Sequence, residues 1–148
     1  MWSALHFSAV SLVLLASTWT PSLAEPNKLQ YELEERCGKA AAAIFEKDWE
    51  GKSVTNTPDG QIVANFENHY NQSLNKCFYL LTSTSYMTKK APPTSLLSLM
   101  LIDVNDNREL GEFMQDQQQA NPAWCFVGET KCHSKAEWQT LIRPYMER

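Results

Sequence analysis

Glu67 and His69 stand two residues apart in the segment FENHY. In an extended strand, residues i and i+2 share a face, so a carboxylate there can orient an imidazole or favour its charged form. That is the arrangement a general base needs, and it makes Glu67 and His69 the candidate catalytic pair of a small hydrolase. Gln61 and Asn65 would share the same face. A hydrated, chemically silent surface therefore accounts for the pair more simply. Cys132-His133 is a second juxtaposition, but neighbours in sequence rarely bring a thiolate and its base together, and a disulfide would consume the sulfur. Asp103-x-Asn105-x-Asn107 imitates the start of a calcium loop. Arg108 occupies the position that requires glycine, and Met114 the position that requires glutamate, so a hairpin turn is the better reading. No cysteine pair has the close spacing of a zinc site, and no GxSxG, HExxH, glycine-rich phosphate loop or CxxC occurs. The expectation is a protein with no metal and no cofactor.

The elements that must position such residues begin after a targeting segment. Residues 1–24, MWSALHFSAVSLVLLASTWTPSLA, contain no Asp, Glu, Lys or Arg. An apolar run from Ala9 to Ala16 leads to Ser22-Leu23-Ala24, with small residues where a signal peptidase reads. The missing basic residue at its start departs from the usual pattern. An uncleaved anchor is the alternative, but Pro21 and the scattered Ser and Thr argue against a span of about 20 apolar residues. Cleavage after Ala24 leaves 25–148 as one domain, large enough for a core. The formal charge of −4 disfavours nucleic acid and anionic membrane as partners. The expected location is periplasmic or secreted, with no membrane contact after cleavage. The partner would be another protein or an envelope component.

Cys37, Cys77, Cys125 and Cys132 all lie in the exported part. An even count in an oxidising compartment predicts two disulfides, for which three pairings are possible. The spacer FVGETK contains a glycine and can loop back, which favours Cys125 with Cys132 and leaves Cys37 for Cys77.

KLQYELEERCGKAAAAIFEKDWEG places Leu29, Leu33, Cys37, Ala40/Ala41 and Ile44/Phe45 at helical spacing. Asn27 is its candidate cap and Gly51 its stop. Pro58-Asp59-Gly60 is a turn. QIVANFENHY then alternates with period two, and KCFYLLTSTSYM suits a strand, so the two make a hairpin around NQSLN. SLLSLMLIDV, RELGEFMQ and AWCFVG read as three further strands. Ser134-x-x-Glu137 is a capping box for a last helix carrying Trp138, Leu141, Ile142 and Tyr145, which Pro144 bends or ends. The fold class is α+β: an antiparallel sheet of about five strands packed against an N-terminal and a C-terminal helix.

The loop residues Asn71, Gln72 and Ser73 form a candidate binding tip, and they also match a glycosylation acceptor pattern. The segments YELEERCGK, NHYNQSLNKCFYL, WCFVG and CHSKAEWQTLIRPYM resemble those of small exported bacterial proteins of uncharacterised function with four cysteines. The resemblance implies an envelope location and a bacterial host, in which the acceptor pattern has no meaning. The paired spacing Cys37/Cys77 and Cys125/Cys132 belongs to it, and no activity or site residue carries over. The expected function is a non-catalytic binding module, with the Glu67/His69 hydrolase as the alternative.

Overall fold

Helix α1 spans Lys28–Trp49 and is apolar along one stripe, so Cys37, Ala41 and Phe45, four residues apart, are its buried positions. The computed structural model describes residues 28–147. The expected signal segment 1–24 and the cap Asn27 lie outside the described residues. The helix stops where Glu50 and Gly51 turn left-handed (φ 51° and 65°) and the Lys52 N–H returns to the Trp49 carbonyl at 2.9 Å. Lys39 pairs with Glu35 at 2.6 Å on its exposed side.

Seven strands follow in a single antiparallel meander: β1 (Val54–Thr57), β2 (Gly60–Asn71), β3 (Lys76–Met87), β4 (Thr94–Asp103), β5 (Arg108–Asp116), β6 (Trp124–Val127) and β7 (Thr130–Lys131). Helix α2 (Lys135–Met146) closes the chain. The α+β class with a helix at each end holds. The expected count of about five strands is corrected to seven. The two additional strands are the outermost ones. β1 is VTNT with Val54, Thr55 and Asn56 all exposed, so it carries no alternation to read. β7 has only two residues, formed as the chain returns from Val127 to meet Cys132.

Each strand alternates between two faces, and each face has its own helix. On β3, Tyr79 and Leu81 join Ala41, Phe45, Ala64 and Phe66 under α1, whereas Phe78 and Leu80 join Leu99, Leu101, Phe113, Trp138 and Ile142 under α2. The result is three layers, helix–sheet–helix. Rings run through the α1 layer, with Phe45 tilted against Phe66 at 5.0 Å and Phe66 stacked on Tyr79 at 5.4 Å. On the other face, Phe113 lies 6.3 Å from Trp138 and Phe78 meets Tyr145 edge-on at 5.3 Å.

Two glycines are fixed by crowding. A Cβ on Gly60 would fall 1.9 Å from the Tyr86 carbonyl oxygen, and one on Gly111 2.7 Å from the Phe126 carbonyl oxygen. Gly111 follows a register shift between Leu101 and Ile102 that leaves Leu110 as the extra residue of a bulge.

Both disulfides are present and no described cysteine is free. Cys37–Cys77 ties α1 to β3 across 40 positions, and Cys125–Cys132 staples β6 to the approach of α2 across 7. Such bonds fit an oxidising compartment. Among the described residues, no helix is long and apolar enough to cross a membrane.

Candidate functional site

Helix α2 starts with the expected capping box: the Glu137 N–H donates to Ser134 Oγ at 3.2 Å. The reciprocal bond lands one residue earlier than the simplest pattern, with the His133 N–H donating to Glu137 Oε2 at 2.8 Å. Its other end is held by Asn71. That side chain, only 5% exposed, donates from Nδ2 to the carbonyls of Pro144 (2.9 Å) and Glu147 (3.3 Å). Its Oδ1 accepts from the Leu74 N–H at 3.0 Å. Pro144 therefore sits in the last turn without ending it, and Asn71 satisfies carbonyls left open at a helix C-terminus.

Held at both ends, α2 crosses the sheet from β6 to β2 and leaves a cleft of about 490 Å³ along one side. Its floor runs from Leu99 in β4 through Leu80 and Thr82 in β3 to Glu67 in β2. Its wall is α2 itself, with Trp138, Ile142 and Met146 among charged or amide side chains Lys135, Gln139, Arg143 and Glu147. Trp138 is 1% exposed, and its Nε1 has no acceptor among the described residues. Arg143 and Glu147 pair at 3.5 Å and separate the cleft from a shallower depression lined by Asn71, Ser73, Leu74, Pro144 and Tyr145. The site therefore combines a floor that is apolar at Leu80 and Leu99 and polar at Thr82 and Glu67 with a rim of both charge signs, which suits binding of a mixed polar and apolar ligand.

The residues singled out by sequence distribute unevenly around this cleft. Glu67 lines it. His69 lies one position further along the same strand face, opposite Phe78, half-buried, with Nε2 enclosed and unpartnered. Among the described residues, no hydrogen bond joins it to Glu67, and the Thr82 hydroxyl that lines the cleft is bonded to no base. Of the candidate binding tip, Gln72 and Ser73 are exposed, but Asn71 is engaged with α2. Cys132 is disulfide-bonded and His133 exposed.

Asp103, Asn105 and Asn107 form the β4–β5 turn. Asp103, 1% exposed, accepts the N–H groups of Asn105 and Asp106 on Oδ1 (3.0 and 3.2 Å) and binds Lys76 on Oδ2. Asn105 Oδ1 accepts the Cys77 N–H at 2.7 Å, and Asn107 takes the left-handed backbone (φ 48°). Lys76 bridges Asp103 and Asp106; hydrogen bonds to those carboxylates raise its pKa, and its ammonium lowers that of Asp106. Among the described residues, no group of three or more His, Cys, Asp or Glu could hold a metal ion.

Burial is the leading cause of the shift at Tyr79 and Glu109, both away from the cleft. Burial, then the nearby Asp48 charge, pushes the Tyr79 phenol to about 12. Burial, then Glu112, raises Glu109.

Sequence reasoning did not group Leu80, Thr82, Trp138 and Arg143. Trp138 was legible as a core position, but the cleft exists only because α2 returns over strands more than thirty residues upstream. No family model matches this chain, and no curated protein and no solved structure does either.

Proposed function

We propose that this is an exported, periplasmic or secreted, non-catalytic binding module, and that its ligand sits in the cleft between α2 and strands β2–β4. The observation that carries the reading is the cleft's composition. It has a floor that is apolar at Leu80 and Leu99 and polar at Thr82 and Glu67, a buried indole N–H without an acceptor and a rim of both charge signs, with no hydrogen-bonded catalytic pair among the described residues. The partner is a protein or envelope component. Filling the cleft with Thr82→Arg should abolish capture of that partner from envelope extracts while the thermal unfolding midpoint stays put. Met114→Arg, on the opposite face, should leave capture intact. Equal capture by both variants would refute the cleft as the site.

The enclosed, unpartnered Nε2 of His69 keeps a second reading in view, a small hydrolase using His69 with Glu67. It requires an activity that His69→Ala eliminates. Activity unchanged in that variant would remove these residues from consideration.

A further inference from the structure

Among the described residues, the register of β2 leaves part of one strand edge uncovered. β1 covers β2 only from Gly60 to Val63, and the last bond across that edge runs from the Ala64 N–H to the Ser53 carbonyl at 2.8 Å. In an antiparallel pair, backbone groups of alternate residues point to alternate sides. Ala64 points toward β1, so Phe66, Asn68 and Tyr70 point the same way, past the end of β1. The opposite strand gives the same phase. Cys77 lies across from Tyr70, yet its carbonyl accepts from Val104 and its N–H donates to Asn105, both on the β4 side. The Phe66 N–H is satisfied by Asn65 Oδ1 at 2.9 Å. No bond among the described residues takes the Phe66 carbonyl or the N–H and carbonyl groups of Asn68 and Tyr70. Edges of this kind are usually covered, charged or kinked, because they template another strand. This one is flanked by Asn65, Glu67 and Asn68, all exposed, and the cleft floor ends on it at Glu67.

We infer that the outer edge of β2 from Asn65 to Tyr70 takes up an extended peptide of a partner protein as an added strand. The inference rests on the cleft being the binding site and names the chemistry of its occupant. Alternate backbone groups of the peptide meet Phe66, Asn68 and Tyr70. Strand alternation sends every second peptide side chain to the α2 face, where Glu67 is the adjacent floor residue and the mouth of the cleft between Leu80 and Met146 receives a long apolar side chain. The charged rim of Glu67 and Arg143 accommodates a polar neighbour.

The probe is a displayed library of random ten-residue peptides selected on the full chain, with the selected peptides then synthesised. Three changes test the mode. Asn68→Pro removes an outward N–H, a position where an edge strand tolerates proline. Thr82→Arg fills the cleft. The third change alters only the peptide, by N-methylating alternate backbone nitrogens. Each should weaken binding roughly tenfold or more, with the unfolding midpoint of the protein unchanged. Binding lost with Thr82→Arg but insensitive to Asn68→Pro and to N-methylation would overturn strand addition and leave the cleft reading intact. Binding insensitive to all three would overturn both, as would a library that yields no binder. A chain that sediments as a dimer and becomes monomeric on Asn68→Pro would show the edge occupied by a second copy, contradicting a foreign peptide.

Discussion

The two faces of the sheet are held by different means. Helix α1 is long, 22 residues, yet only Cys37, Ala41 and Phe45 of it are buried, and it is bonded covalently to β3. Helix α2 has 12 residues and covers the larger cluster, with Trp138 and Ile142 inserted among Phe78, Leu99, Leu101 and Phe113. Its ends are pinned by side-chain hydrogen bonds, Ser134 and Glu137 at one and Asn71 at the other. α1 itself is cross-linked to the sheet where buried apolar area is small, whereas α2 carries no cysteine and is held by packing where that area is large, with Cys125–Cys132 bracing only its approach. The second arrangement also leaves room for function. A helix pinned at its ends can stand off the sheet along one flank, and the cleft occupies that flank.

The largest effect that would break this contrast is on the α2 face. Trp138→Ala removes the largest fully buried side chain and should cost about 3–5 kcal/mol in denaturant unfolding. A loss under 1 kcal/mol would mean that α2 is not the packed face. Next comes the α1 cross-link. Replacing Cys37 and Cys77 together by Ser should cost about 4 kcal/mol by the chain-entropy estimate, and replacing Cys125 and Cys132 about 2.5 kcal/mol, because the second loop is shorter. The reverse order would show that the short staple, not the long one, organises the fold. Asn71→Ala should cost about 1–3 kcal/mol by leaving α2's last carbonyls short of partners, and amide exchange should rise at the end of α2 before it rises in α1.

The smallest effects sharpen the contrast through pH. The folded pKa of Asp106 is depressed by Lys76, so its contribution is present above the ordinary aspartate value of 3.8 and is lost as pH falls below it. The folded pKa of Tyr79 is raised, so its contribution is complete below 10.0 and is lost as pH rises toward about 12. Acid should therefore weaken the β4–β5 turn, and alkali the α1 layer. Tyr79→Phe should flatten stability between pH 10 and about 12, as measured by denaturant midpoints. An unaltered slope there would show that Tyr79 titrates normally.

Much of this contrast was readable from sequence, and for local reasons. The capping box at Ser134, the stop at Gly51, the turn at Pro58-Asp59 and the period-two run of β2 are set by neighbours within a few positions. The disulfide pairing also followed from spacing. β1 escaped because its side chains face water and carry no pattern. Asn71 reads as a loop residue, since nothing nearby reveals that its partners lie more than seventy positions ahead. The cleft escaped for the same reason. Glu67 was picked out for its neighbour His69, whereas its structural importance lies in being where the cleft floor meets a strand edge that no described strand covers.

The most direct test of that edge is amide hydrogen exchange along β2 in the full chain. Glu67 and His69, whose backbone groups face β3, should exchange slowly, and Asn68 and Tyr70, whose N–H groups face outward, should exchange fast. A selected peptide should slow Asn68 and Tyr70 alone. Uniform protection from Asn65 to Tyr70 in the isolated chain would mean that the edge is already covered, and the proposed site for an added strand would not exist.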